Sequence, residues 1–148
     1  MKTLKSSFFY NIMILFMVST LCSCASISHF DQYVYAQTTS IKVDALNTMT
    51  LATSDYTSYA QKVQDLETNL QKLYEYEKNR PKNELSIKLW NRLLNKEGHL
   101  FGGFIERWKK NGKLNTAFIS ESKEQVSEAF DQISGLESNK IKASDITN

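Results

Sequence analysis

Apolar residues recur along most of this chain at intervals of three or four, the spacing that gathers them on one face of an α-helix. One stripe begins at Phe30 and runs through Val34, Thr38, Ile41, Ala45, Met49, Ala52, Tyr56, Tyr59, Val63, Leu66, Leu70 and Leu73. Its second half, Tyr56 to Leu73, alternates strictly, in the manner of a coiled-coil seam. Ser28 and Asp31 stand where a capping box would begin such a helix. Two features bear on whether the stripe is one element. The run from Thr53 to Ser58 is rich in side chains that compete with the helical backbone. An unbroken helix from Phe30 to Asn79 would be about 75 Å long, roughly twice the ~35 Å breadth of a compact domain of this size. Against this, the stripe crosses the polar run without losing phase. The pattern predicts a long N-terminal helix, bent or interrupted near Ser54.

The stretch from Asn79 to Asn83 ends it, because the residue before Pro81 avoids helical geometry. Asn83 is placed to cap the next helix. That helix, about Glu84 to Lys96, shows Leu85, Leu89, Trp90, Leu93 and Leu94 on a broad apolar face and stops at Gly98. A short helix, about Phe104 to Lys110, ends at Asn111 and Gly112, a natural left-handed cap. The last helix starts at Asn115 or Thr116 and carries Ile119, Val126, Phe130, Ile133 and Leu136, with Gly135 weakening its end. Residues 138–148 read as a flexible polar tail. With one proline, five glycines and no convincing strand pattern, the expected fold is all-α. A long N-terminal helix has two or three shorter helices packed back along it.

The first residues follow a different rule. Lys2 and Lys5 give a basic start, an apolar run spans Ile12 to Val18, and Leu21, Cys22, Ser23 and Cys24 follow. A positive head, an apolar core and a small-residue exit make the profile of a secretory signal. The end of this segment resembles the lipobox of bacterial lipoproteins, which has leucine three places before the cysteine and a small residue just before it. Leu21, Ser23 and Cys24 fill those places; Cys22 does not qualify, because the bulky Leu21 directly precedes it. The resemblance covers the leader alone. It implies cleavage after Ser23, attachment of lipid, palmitate included, to the Cys24 sulfur, and acylation of the new amino end. The alternative is an uncleaved membrane helix from Phe8 to Ala25, diluted by Asn11, Ser19, Thr20 and Ser23. The organisation expected is a signal peptide over residues 1–23, a lipidated anchor and short tether over 24–29, a helical domain over 30–137, and the tail.

Cleavage would change the composition in two ways. Cys24 would be the sole cysteine, its sulfur occupied, so no internal disulfide could form and stability must come from burial. Loss of Lys2 and Lys5 would take the formal charge from +2 to zero. A balanced domain exerts no general pull on nucleic acid, so none is expected as a partner.

Candidate chemistry is sparse. His29 and His99 are the two histidines, and neither has a ligand at a recognised metal spacing. A cavity near His99 with Glu97, Glu106 and Trp108 is the one arrangement that would suit a small-ligand carrier or enzyme. No catalytic, metal or cofactor residue is assigned. Phe101, Gly102, Gly103 and Phe104 lack the spacing of a phosphate loop. They read as a tight turn with buried rings or as a mobile aromatic loop that meets a partner. Tyr74 and Tyr76 fall on different faces of a helix end, so at least one should be exposed, and tyrosine is common at binding surfaces. Arg107, Trp108, Lys109, Lys110 and Lys113 form either a solvated face with Trp108 turned inward or a contact for lipid headgroups. The seam from Tyr56 to Leu73 could pack internally or join a second copy.

Only five residues, Ala25 to His29, separate Cys24 from the stripe, a reach of at most about 18 Å. The domain is therefore expected close to a membrane, with a partner in or at that membrane. The function expected is a lipid-anchored, non-enzymatic binding or assembly component of the bacterial cell envelope. The alternatives are the carrier or enzyme near His99 and a self-associating structural protein. In a Gram-negative cell, Ala25 in place of aspartate implies the periplasmic face of the outer membrane.

Overall fold

Asp31 begins the first helix by capping it. Its carboxylate accepts from the backbone N–H of Tyr33 at 2.9 Å and of Val34 at 3.2 Å, satisfying donors that a helix start leaves open. The computed structural model describes residues 30–146. The signal segment with Ser23 and Cys24, the tether with Ser28 and His29, and residues 147–148 lie outside the described residues.

Helix α1 (Gln32–Thr50) is followed by two 3-10 turns, Leu51–Thr53 and Tyr56–Ser58, and then by α2 (Ala60–Lys78). Helices α3 (Glu84–Leu94), α4 (Phe101–Asn111) and α5 (Thr116–Glu137) complete the bundle, with a last 3-10 turn at Ala143–Asp145. Among the described residues there is no strand, and the all-α fold expected from the stripe is the fold observed. Helix α1 packs along both α2 and α5, α5 also covers α3, and α4 lies against α3.

The interruption near Ser54 is a full reversal. Ser54 (φ −105°, ψ 170°) and Asp55 (φ −63°, ψ 131°) are extended and turn the chain back. Helices α1 and α2 are thereby antiparallel, each 19 residues and about 28 Å long. Tyr33 at the start of α1 meets Tyr76 at the end of α2, ring centres 5.3 Å apart. Helix α5 runs antiparallel to α1 on its other side, where Lys42 reaches Asp131 at 2.6 Å and Lys123 reaches Thr50 at 2.8 Å.

The reversal is held by the far end of α4. Trp108 is fully buried and its indole N–H donates to the carbonyl of Ser54 at 3.0 Å. Tyr56 meets that ring edge-on at 5.4 Å. The Gly112 carbonyl accepts from the Tyr56 N–H, and Leu114 N–H donates to the Ala52 carbonyl. Gly112 has φ +73°, the left-handed cap that the Asn111–Gly112 pair predicts. Side-chain chemistry at one helix end thus fixes the turn between two others.

Several local expectations need correction. Asn83 stands at the start of α3 but does not cap it; its amide instead donates to the carbonyl and the carboxylate of Glu77, at 2.8 Å each. Helix α4 starts at Phe101, three residues before the expected Phe104, so the two glycines form its first turn rather than a loop. A methyl group at Gly102 would strike the backbone of Leu94 and Asn95, and one at Gly103 the carbonyl of Gly98. The pair is required because the α3–α4 connection lies directly on that turn. From Ser138 the chain, expected to fray, makes a capping turn. Lys140 and Ile141 both donate to the Gly135 carbonyl, Ile141 lies over Gly135, and Ile146 packs against the core.

The core is the expected apolar set, except that Phe30, the first position of the stripe, is exposed and Leu85 and Leu94 are only partly buried. Val34, Thr38, Ile41, Ala45, Met49, Ala52, Val63, Leu66, Leu70 and Leu73 are buried, as are Trp90, Val126, Phe130, Ile133 and Leu136. Tyr56 and Tyr59 are partly buried against the core. Val63, Leu66, Leu70 and Leu73 of the Tyr56–Leu73 seam are therefore covered within the chain. Replacing Leu66 with aspartate places a charge in this core, and we expect the helical monomer to lose at least about 3 kcal/mol. Urea unfolding followed by circular dichroism measures this. A folded monomer of unchanged stability that has lost a dimer would instead make the seam an interface.

Candidate functional site

At the end of the bundle where α1 begins and α2 and α5 finish, charged side chains are buried together. Glu77, in the last turn of α2, is fully buried, and Glu137, the last residue of α5, is 3% exposed. Arg80 lies between them: its Nη1 donates to Glu77 Oε1 and to Glu137 Oε2, each at 2.8 Å. Arg80 Nε stands 3.8 Å from Asp31 Oδ2, and the Tyr76 hydroxyl donates to the same oxygen at 2.9 Å. Asn83 closes the cluster on Glu77. Three helices are joined here through one guanidinium, whose planar fork can serve several carboxylates at once.

The local sequence explains how these groups converge. Glu77 and Arg80 are three apart, so the end of α2 brings them onto one side. Pro81 stops the helix and turns the chain toward α3. Asp31 arrives because it caps α1, and Glu137 because α5 runs back along α1.

Two buried carboxylates share one cation, and the proton inventory responds. Burial pushes the Glu137 carboxyl up to about 7; the Arg80 hydrogen bond opposes this, while the neighbouring charge of Glu77 adds to it. Asp31 moves the other way. Burial disfavours its charge, but the N–H groups of Val34 and Tyr33, the Tyr76 hydroxyl and Arg80 together outweigh it and hold its carboxyl below the ordinary value. The Tyr76 hydroxyl is pushed up in turn by its bond to Asp31.

Around this end lie exposed aromatic residues. Phe30 is 52% exposed, Tyr33 56% and Tyr76 45%, whereas the fourth large exposed apolar residue, Val43, is in the middle of α1. Phe30 touches the ring of Tyr35 at 6.2 Å.

The residues singled out from the sequence fall in different places. Phe101 and Phe104 are each 1% exposed and Trp108 is fully buried, so they build the core rather than an exposed aromatic loop. Tyr76 is exposed; Tyr74 is half-buried and its hydroxyl donates to Asn91 at 2.7 Å. His99 is exposed beside an open hollow of about 260 Å³ lined by Gly103, Arg107, Phe118 and Glu121. Glu106 turns to Lys96, 3.5 Å away, and Trp108 to Ser54, so the three groups needed for a cavity site do not meet. Arg107 lies over the Phe118 ring at 4.3 Å and Lys113 faces Asp55 at 3.6 Å. With Lys109 and Lys110 they form a solvated face toward the reversal, at the opposite end from Asp31. Among the described residues no group of three His, Cys, Asp or Glu side chains is placed to hold a metal ion. Among them, too, no helix is long and apolar enough to cross a membrane.

The Arg80 cluster was not foreseen. Glu77 and Arg80 have helical spacing, but Glu137 is 57 residues away from Arg80, and no local pattern links them. No protein-family model, no curated protein and no solved structure matches this chain.

The cluster sets a pH dependence whose sign is fixed. Glu137 has a folded value near 7 against an ordinary 4.5, so its contribution to stability is complete below about pH 4.5 and is lost as pH rises through about 7. Asp31, held below its ordinary 3.8, contributes above that value and fades in more acidic solution, outside this window. Unfolding free energy should therefore fall between pH 5 and pH 8, and Glu137→Gln should flatten that slope. Arg80→Met leaves two buried carboxylates without their cation and should cost about 3–5 kcal/mol at pH 8. Urea titrations across the pH range check both; a wild-type slope retained in Glu137→Gln contradicts the assignment.

Proposed function

We propose that this chain is a lipoprotein of the bacterial cell envelope, attached through Cys24, and that it acts as a non-enzymatic binding or assembly component held close to its membrane. The observation that carries the reading is the pairing of Leu21, Ser23 and Cys24 with a helical domain whose first helix is capped only seven residues later, at Asp31. Several acyl chains on one cysteine make such attachment effectively permanent, since each buried methylene contributes about 0.8 kcal/mol. The short tether leaves the domain little freedom to reach partners far from the bilayer, which favours a protein in or at the same membrane. By the identity of Ala25, a Gram-negative cell would carry it on the periplasmic face of the outer membrane.

The carrier or enzyme reading draws less support, because His99, Glu106 and Trp108 face three different neighbours. Self-association through the seam draws less as well, since Val63, Leu66, Leu70 and Leu73 are covered within the chain. The balanced charge of the mature chain speaks against nucleic acid as a partner.

Cells expressing the chain and fed a palmitate analogue should label it, and Cys24→Ser should abolish the label. Intact mass should begin at Cys24 with its acyl groups. Labelling that survives Cys24→Ser, or a mass that retains residues 1–23, contradicts the anchor. Crosslinking in intact cells followed by mass spectrometry should recover another envelope protein; recovery of the chain alone would contradict the partner.

A further inference from the structure

The chain's exposed aromatic residues are concentrated where its tether enters. Of four large apolar side chains that stand out from the described surface, Phe30, Tyr33 and Tyr76 lie at the Asp31 end, and only Val43 does not. Tyr33 and Tyr76 come from different helices and touch, 5.3 Å between ring centres, so the aromatic surface is built jointly by the start of α1 and the end of α2. The buried Arg80 cluster lies directly behind it and ties both helices together through Asp31.

Exposed rings cost free energy in water and suit the zone where hydrocarbon meets headgroups, because one part of each ring can stay apolar while a hydroxyl remains wet. Tyr33 has that character, while Tyr76 offers its exposed ring with its hydroxyl already held by Asp31. Six residue steps separate Cys24 from Phe30, a span of at most about 22 Å, so an acyl-bearing Cys24 would hold Phe30 within that distance. The far end of α1 lies about 28 Å further along the helix.

We infer that the bundle stands end-on upon the bilayer, with Phe30, Tyr33 and Tyr76 seated in the headgroup interface as a second contact beside the lipid anchor. This rests on the Cys24 attachment proposed above. Charge at this end is mixed: exposed Lys78, Lys82, Lys140 and Lys142 are interspersed with exposed Glu75, Glu84 and Asp145. The contact is therefore aromatic in kind and indifferent to anionic lipid.

The test uses the full chain in phosphatidylcholine vesicles whose lipids are brominated in the upper acyl chain. Phe30→Trp and Tyr33→Trp place a fluorophore in the proposed contact at two exposed positions. Val43→Trp is the control, similarly exposed but about 15 Å beyond Tyr33 along α1 by helical rise. Trp90 and Trp108, both fully buried, supply a common background, and circular dichroism verifies that each variant is folded. Quenching at residues 30 and 33 should be at least about twofold greater than at residue 43, and unchanged when phosphatidylglycerol is added. Equal quenching at all three positions, or quenching at 30 and 33 that appears only with phosphatidylglycerol, overturns the inference. Intact mass of the same sample reads the anchor separately. Acylated protein without selective quenching sinks the aromatic contact alone, whereas selective quenching of unacylated protein upholds the contact and sinks the anchor.

Discussion

A single guanidinium joins three helix ends in this protein. Arg80 binds Glu77 of its own helix end and Glu137 of α5, and it lies near Asp31, which caps α1. Burying two carboxylates is expensive unless each keeps a partner, and removing the shared cation would leave both charges uncompensated. Arg80 fixes which ends of α1, α2 and α5 lie together, and so decides what the Asp31 end of the bundle presents to its surroundings.

The opposite end is closed by different means. Trp108 holds the Ser54 carbonyl, and hydrogen bonds from Tyr56 and Leu114 tie the α1–α2 reversal to the α4–α5 connection. Between the two closures the core is a continuous apolar cluster. Each closure depends on a helix stop written into the sequence, Pro81 at one end and Gly112 at the other. The two differ in what surrounds them: solvated charge near the reversal, exposed rings among mixed charges near Asp31.

Much of this was legible in the order of residues. The stripe from Val34 to Leu73 named the buried positions of both long helices, because burial and helical period are the same constraint seen twice. It could not reveal the reversal, and the reason is geometric. The 3-10 turns at Leu51–Thr53 and Tyr56–Ser58 keep Met49 and Ala52, then Tyr56 and Tyr59, three apart, and the four-residue step from Ala52 to Tyr56 preserves the spacing while Ser54 and Asp55 redirect the chain. The role of Gly102 and Gly103 was hidden for a related reason: close approach of Leu94 and Gly98 is a tertiary fact with no periodic trace. The candidate site was the least legible part. Arg80 and Glu137 are far apart in the chain with no periodic link between them, and only the return of α5 along α1 brings them together. Their places on different faces of the helix end marked one of Tyr74 and Tyr76 for exposure without saying which, while Phe101, Phe104 and Trp108, equally aromatic, proved to be core.

One buried cation serves two buried carboxylates, so that Glu137 keeps a proton close to neutrality. Following the side-chain carboxyl carbon of Glu137 by nuclear magnetic resonance from pH 3 to pH 9 reads that proton directly. A midpoint near 7, moving further upward when Arg80 is replaced by methionine, is the result expected. A midpoint in the ordinary range near 4.5, unmoved by loss of Arg80, would mean that the cluster is not closed in solution and that the three helix ends are not held as described.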